Sequence, residues 1–323
     1  MFKLRIRNLN ETYGGGKENL AADFLQAIGF LGTDGPRTRE TKRAKTGILL
    51  FTKCLIPNPR KSWTTSEMAK ELGMPLQGIY RHLQWLREVG FLTEDFPGKA
   101  EDPKKVRLWH YDLEKAWAGV ENRARICLET YREIVNNLNK NLKESKNEIP
   151  DDMINVGKEE PFEIIVREIN LDMKPTKKHE TVKLSADEAE KRIKVEKERY
   201  TTMDDLGSLC RGIGLLSNHH YPYHKSMPYK IIDGCFLQRP DRAWTAEEIA
   251  AWIETTRPTA YRHLNRLISL GFIERCRAED GGPPTSAFHL RYGSLKKAWA
   301  KIETQVELVL DKYRKTIKQL SEN

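Results

Sequence analysis

The sequence predicts a mainly α fold with small β-hairpins, an α+β arrangement built as two copies of one unit, each followed by a long helix. Three observations carry that reading. The chain repeats itself at a fixed offset, each copy holds two short helical segments followed by a hairpin, and an apolar stripe of heptad spacing follows each hairpin.

Sliding the 323 residues against themselves by 181 positions superposes Trp63-Thr64 on Trp244-Thr245, Glu67 on Glu248 and Ala69 on Ala250. Tyr80-Arg81-His82-Leu83 falls on Tyr261-Arg262-His263-Leu264, and Leu86, Gly90 and Phe91 fall on Leu267, Gly271 and Phe272. About eleven of thirty paired positions are identical, against roughly 6% expected from ordinary composition. This excess marks an internal duplication. With one extra residue in the second copy the match runs on, from Ala116-Trp117 to Ala298-Trp299 and from Tyr131-Arg132 to Tyr313-Arg314. The division that follows is residues 1–143, a connector at 144–200, and 201–323.

Within each copy, Thr64-x-x-Glu67 and Thr245-x-x-Glu248 are capping boxes, where hydroxyl and carboxylate satisfy the free amides at a helix start. A turn at Leu72-Gly73-Met74-Pro75, matched by Ile253-Glu254-Thr255-Thr256, leads to a second helix with core positions Ile79, Leu83 and Leu86, or Ala260, Leu264 and Leu267. Thr256 reads as a better start for that helix than Met74-Pro75. Gly90 and Gly271 suit a left-handed C-cap, and each precedes an apolar pair that opens a strand. Val106 to Asp112 and Ser286 to Tyr292 supply the return strands. In the connector, Phe162 to Leu171 reads as a strand whose character echoes Phe2 to Leu9, and Ser185 with Glu188 caps a charged helix to about Tyr200.

After each hairpin, apolar residues recur in steps of four and three. The first series is Leu113, Trp117, Val120, Ala124, Cys127, Tyr131, Ile134 and Leu138; the second is Leu295, Trp299, Ile302, Val306, Val309, Tyr313, Thr316 or Ile317, and Leu320. This spacing predicts long coiled-coil helices at about 113–143 and 294–321.

Helix, turn, helix, hairpin is the order of a winged helix-turn-helix. The phrases IYRHLQWLREVGFL and AYRHLNRLISLGFI, with WTTSEMAKELG and WTAEEIAAWIE before them, resemble the helices and first wing strand of ArsR-, MarR- and TrmB-type winged helix-turn-helix regulators. The resemblance implies two winged helix-turn-helix domains in tandem, with the second helix of each in the major groove. Regulators of these families dimerise through long helices, which implies a covalent pseudo-dimer within one chain. A homodimer through those helices is the competing arrangement.

With Ile79, Leu83 and Leu86 facing inward, helical geometry puts Gln77, Arg81, Gln84 and Glu88 outward. The second copy exposes Pro258, Arg262, Asn265 and Ser269, with Arg257, Thr259 and Arg266 beside them. Arg, Gln and Asn are the side chains that make bidentate contacts to guanine or adenine. Tyr80 and Tyr261 flank these faces, suited either to phosphate contact or to packing; His82 and His263 fall at the core margin. Lys99, Lys104, Lys105 and Arg107 in the first hairpin, and Arg275 and Arg277 in the second, suit phosphates, with a solvated surface as the plain alternative. A basic run before the first unit, holding Arg37, Arg39, Lys42 and Arg43, is expected to track the DNA backbone, with an ordinary solvated loop as the alternative. The two reading faces differ, so unlike half-sites are expected, with the second copy dominant in base readout.

Lysine and arginine outnumber aspartate and glutamate by 55 to 46, a formal charge of +9, which favours a polyanionic partner. No run approaches the length of a spanning helix, and Met1 to Arg7 alternates charged and apolar residues where a signal peptide would be apolar. A cytoplasmic, nucleoid-associated protein is therefore expected. The five cysteines are odd in number and without paired spacing, so neither disulfides nor a metal site is expected, and no cofactor. His219, His220 and His224 near Cys210 and Cys235 fit no standard zinc pattern. No nucleophile elbow, phosphate loop or carboxylate pair argues for an enzyme. The function expected is a sequence-specific double-stranded DNA-binding transcription regulator that occludes a promoter or recruits the transcription machinery. A plasmid or viral replication initiator and a protein-interaction scaffold of the basal transcription machinery are the alternatives.

Overall fold

The computed structural model describes residues 2–9, 16–31, 41–95, 103–142, 162–169, 204–216, 223–276 and 287–322. In chain order these hold strand β1 (Lys3–Arg7), helices α1 (Lys17–Ala27) and α2 (Lys42–Leu49), strand β2 (Trp63–Thr64), helices α3 (Thr65–Leu72) and α4 (Leu76–Val89), and strands β3 (Leu92–Asp95) and β4 (Lys105–Leu108). Helix α5 (Leu113–Asn141) and strand β5 (Glu163–Arg167) follow. The second half holds α6 (Asp205–Gly212), α7 (Met227–Lys230), β6 (Trp244–Thr245), α8 (Ala246–Trp252), α9 (Arg257–Leu270), β7 (Ile273–Cys276), β8 (Ala287–Leu290) and α10 (Leu295–Glu322). Helices α2 and α7 run on into π-helical segments, Leu50–Leu55 and Ile231–Leu237, which bury Cys54 and Cys235 at matching places of the repeat.

The capping boxes form as the sequence requires. The Thr64 amide donates to Glu67 Oε2 at 2.7 Å and the Glu67 amide donates to Thr64 Oγ1 at 3.1 Å. Thr245 and Glu248 repeat the pair at 2.8 and 3.2 Å. Gly90 and Gly271 end α4 and α9 in the left-handed conformation, at φ 92° and 84°. The reading of Thr256 as the better cap needs correction. Its hydroxyl lies 3.0 Å from Thr259 Oγ1, and neither α4 nor α9 receives a side-chain cap.

The return strands end earlier than expected, at Leu108 and Leu290. His110 and Tyr111, both at φ 56°, then turn the chain, as Tyr292 and Gly293 do at 58° and 57°. The turn delivers Asp112 to cap α5, its Oδ1 accepting from the Lys115 amide at 2.9 Å. Each hairpin gains a third, two-residue strand, giving the antiparallel orders β2-β4-β3 and β6-β8-β7. The basic run before the first unit is not a loop over its last part: Thr41 caps α2, accepting from the Ala44 amide at 3.2 Å, so Lys42 and Arg43 sit on a helix. A hydroxyl at the N-cap and the buried Ala44 and Thr46 make that segment helical. Arg37 and Arg39 lie outside the described residues, as do the hairpin tips with Lys99 and Arg277, and the charged helix expected at 185–200.

Packing divides the chain into two compact units, and the division does not follow sequence order. One comprises Met1–Leu128, Pro161–Arg167 and Glu303–Asn323; the other comprises Glu129–Glu160 and Glu168–Ile302. Each long helix lends one end to each unit.

In the first unit, β1 pairs antiparallel with β5, Ile6 opposite Ile164 and Leu4 opposite Val166, and these four side chains are buried. Trp117 anchors an aromatic core, with edge contacts to Phe24 at 5.3 Å and Tyr313 at 5.6 Å, and Phe91 tilted against it at 5.9 Å. Tyr313 donates its hydroxyl to the Arg7 carbonyl at 2.7 Å and accepts from the Arg7 amide at 3.0 Å, satisfying the backbone at the end of β1. The N-terminal part of α5 and the C-terminal part of α10 run antiparallel. Glu121 pairs with Arg314, Arg125 Nη2 lies 2.6 Å from Glu307 Oε2, and Ser321 donates to Glu114 at 2.7 Å. The apolar stripe is buried from Leu113 to Ile134 and from Leu295 to Leu320.

The second unit repeats the theme. Trp299 meets Tyr131 edge-on at 5.9 Å and Phe272 at 6.2 Å. Gly212 permits close approach there, since a Cβ on it would lie 2.5 Å from the Tyr131 ring.

Candidate nucleic-acid interface

The second helix of each copy presents one apolar and one polar face. On α4, Ile79, His82, Leu83, Leu86 and Val89 are buried, while Gln77, Tyr80, Arg81, Gln84 and Glu88 are exposed. On α9, Ala260, Leu264, Leu267, Ile268 and Leu270 are buried; Arg257, Arg262 and Asn265 are exposed and Thr259, Tyr261 and Arg266 partly so. The positions read from helical periodicity therefore lie together on one side of each helix.

Their local bonds differ in kind. Arg81 and Arg262, which occupy matching places in the repeat, have no hydrogen-bond or ion-pair partner among the described residues. Arg257 lies 2.8 Å from Glu247 of the preceding helix. Asn265 accepts from Arg275 Nη2 at 3.0 Å, which ties α9 to strand β7. Gln84 donates to Glu88 at 3.0 Å. Tyr261 packs edge-on against Phe288 at 6.0 Å, whereas Tyr80 is 54% exposed. Where the second copy carries Arg275 the first carries Glu94, paired with Arg87. Lys104 and Lys105 are exposed on the first hairpin, while Arg107 is held by Asp95 and lies over the Tyr111 ring at 4.0 Å.

Each helix carries a histidine at the margin of its buried face, and the one on α4 ties it to α2. His82 is buried, its Nε2 3.1 Å from the Arg43 carbonyl oxygen and its ring 4.9 Å from that of Phe30. Burial and the nearby Arg43 charge lower its pKa to about 4, outweighing the hydrogen bond. His263 is partly buried without a hydrogen-bond partner at Nε2, and burial with the Arg262 charge also lowers its pKa. Gly47 gives α2 room against α4, since a Cβ on it would lie 2.9 Å from Phe30 and 3.0 Å from His82.

Two similar protein-family models match the chain. A helix-turn-helix domain model covers residues 48–95, and an IclR helix-turn-helix domain model covers residues 235–276. The chain carries two helix-turn-helix domains. No curated protein and no solved structure matches it significantly.

The first matched segment takes in the whole π-helical turn with Cys54 and the second begins within its own at Cys235; both take in the capped first helix and the second helix. Helix-turn-helix domains bind DNA through their second helix, so DNA-binding transcription regulation is the function this pair of domains implies. One feature of the site escaped the sequence reading. Lys61 Nζ lies 3.4 Å above the Trp63 ring, and the Arg242 guanidinium lies 4.1 Å from the Trp244 ring, cations at matching places just before each first helix. Their signal was the basic residue two positions ahead of each repeated tryptophan. Among the described residues no His, Cys, Asp and Glu cluster could hold a metal ion, and no helix is long and apolar enough to cross a membrane. Cys210 and Cys235 are buried, and burial raises both thiols, Cys235 to about 12.

Proposed function

We propose that this chain is a sequence-specific double-stranded DNA-binding transcription regulator that works as a covalent pseudo-dimer. The hairpins act as wings, and α4 and α9 enter adjacent major grooves, about 34 Å or roughly 10 base pairs apart. The single observation that carries the reading is the matched pair Arg81 and Arg262, exposed at the same place on the two second helices and unbonded among the described residues. An arginine held ready in this way suits a bidentate contact to guanine.

Around that pair, Gln77, Tyr80 and Gln84 serve the first half-site, and Arg257, Thr259, Tyr261, Asn265 and Arg266 serve the second. Lys42, Arg43, Lys104, Lys105 and Arg275 contact phosphates, joined by Lys61 and Arg242. The half-sites are unlike. Arg275, Arg266 and Arg257 make the second face the more basic, while Glu88 and Glu94 lie beside the first. The second copy contributes more of the affinity.

The test is equilibrium binding of the full chain to duplexes selected from a random-sequence library, repeated across a salt series. Displacing counterions at six or more phosphates makes affinity fall steeply and linearly on a logarithmic scale with salt. A protein-interaction scaffold would show neither enrichment of particular duplexes nor that slope.

A further inference from the structure

Gln84 and Asn265 fall on the same place of the repeat, exposed on α4 and α9 three residues after Arg81 and Arg262. A side-chain amide has two unlike ends, a carbonyl oxygen that accepts and an NH2 that donates. The end that a neighbour occupies therefore decides which end is left for a partner. Here the neighbours are opposite in kind. Gln84 donates its Nε2 to Glu88 Oε1 at 3.0 Å, whereas Asn265 accepts at Oδ1 from Arg275 Nη2 at 3.0 Å. An ionised carboxylate can only accept and a guanidinium can only donate, so neither amide can be turned round without losing its bond.

Each tether is missing from the other copy. Ser269 stands at the place of Glu88 and gives its hydroxyl to the Arg266 carbonyl at 2.9 Å, and Glu94 stands at the place of Arg275 and is paired with Arg87. Gln84 is thus left with its carbonyl oxygen beside a negative charge, and Asn265 with its NH2 beside a positive one. In a major groove, guanine displays the acceptors O6 and N7, cytosine displays the N4 amino donor, and an amide with both ends free pairs with adenine N6 and N7.

We infer that this one repeated position reads opposite bases: Asn265, held by Arg275, donates to guanine in the second half-site, and Gln84, held by Glu88, accepts from cytosine N4 in the first. Glu88 and Arg275 act as positioning residues that set specificity through the amides. This rests on the DNA-binding reading above.

The experiment selects duplexes from a random-sequence library with the full native chain and with its Glu88→Ala and Arg275→Ala variants. Removing a tether frees both ends of its amide, so the preference at one position moves to adenine, from cytosine in the first half-site for Glu88→Ala and from guanine in the second for Arg275→Ala. Each move is a change of roughly 5- to 150-fold in relative affinity, and the other half-site keeps its preference. On the native chain's own duplex, guanines are replaced one at a time by 7-deazaguanine, which lacks the N7 acceptor; one replacement weakens the native chain at least fivefold and leaves Asn265→Ala unaffected. Base preferences that stay unchanged in either variant, with affinity lowered equally on all duplexes or not at all, overturn the inference while the DNA-binding reading stands. Failure of the native chain to enrich any duplex would sink that reading itself, and the inference with it.

Discussion

His82 Nε2 donates across 3.1 Å to the carbonyl oxygen of Arg43, joining the buried side of α4 to the first turn of α2. The neutral ring is the form that fits, and it carries the outward face of α4 with it. Because burial lowers the folded-state pKa to about 4 from 6.5, the unfolded chain binds the proton more readily between those values. Stability is therefore full above pH 6.5 and falls as pH drops toward 4. The loss reaches about 2 kcal/mol at pH 5 and about 3 kcal/mol at pH 4. Urea unfolding at pH 7 and pH 5 checks this, and a His82→Gln variant should show a flatter dependence over the same interval.

Glu254 and Gly73 occupy the same place in the two copies, at the turn between the first and second helices, with φ of 55° and 62°. The left-handed conformation strains a residue that bears a Cβ. Glu254→Gly should stabilise the protein by about 1 kcal/mol and Gly73→Ala should destabilise it by about as much, both read from thermal unfolding.

The Glu121 carboxylate is buried in the first unit, held by Arg314 and by Arg125 Nη2 at 2.9 Å. Arg314→Ala leaves a buried charge with one of its two cations removed. Since Arg314 is half exposed, solvent moderates the cost to about 1–3 kcal/mol. A double variant Glu121→Leu, Arg314→Leu should be less destabilised than Arg314→Ala, because no charge is then stranded. Chemical denaturation of the native chain and of both variants measures the two costs.

Much of the fold was legible because motifs that recur at a fixed offset let one stretch check the other. Thr64 with Glu67, and Gly90, are local signals whose physics is complete within a few residues, and they appear in the structure where the spacing put them. The outward set around Arg81 and Arg262 followed from helical periodicity alone. What the sequence did not disclose depends on distant partners. Helices α1 and α2 precede the repeat motif and are fixed by contacts such as Phe24 on Trp117 and the Arg43 carbonyl on His82. The pairing of β1 with β5 joins residues about 160 positions apart. The bond from Asn265 to Arg275, and the ion pair from Arg257 to Glu247, arise between elements whose separation no periodicity reports.

The most direct test is the DNA affinity of Arg81→Ala, Arg262→Ala and the double variant, measured on a selected duplex and on the same duplex with each half-site scrambled. The account predicts losses of about 1–3 kcal/mol for each single variant, larger for Arg262→Ala, each erasing preference for its own half-site, with melting temperatures unchanged. A double variant that binds as tightly and as selectively as the native chain would contradict it.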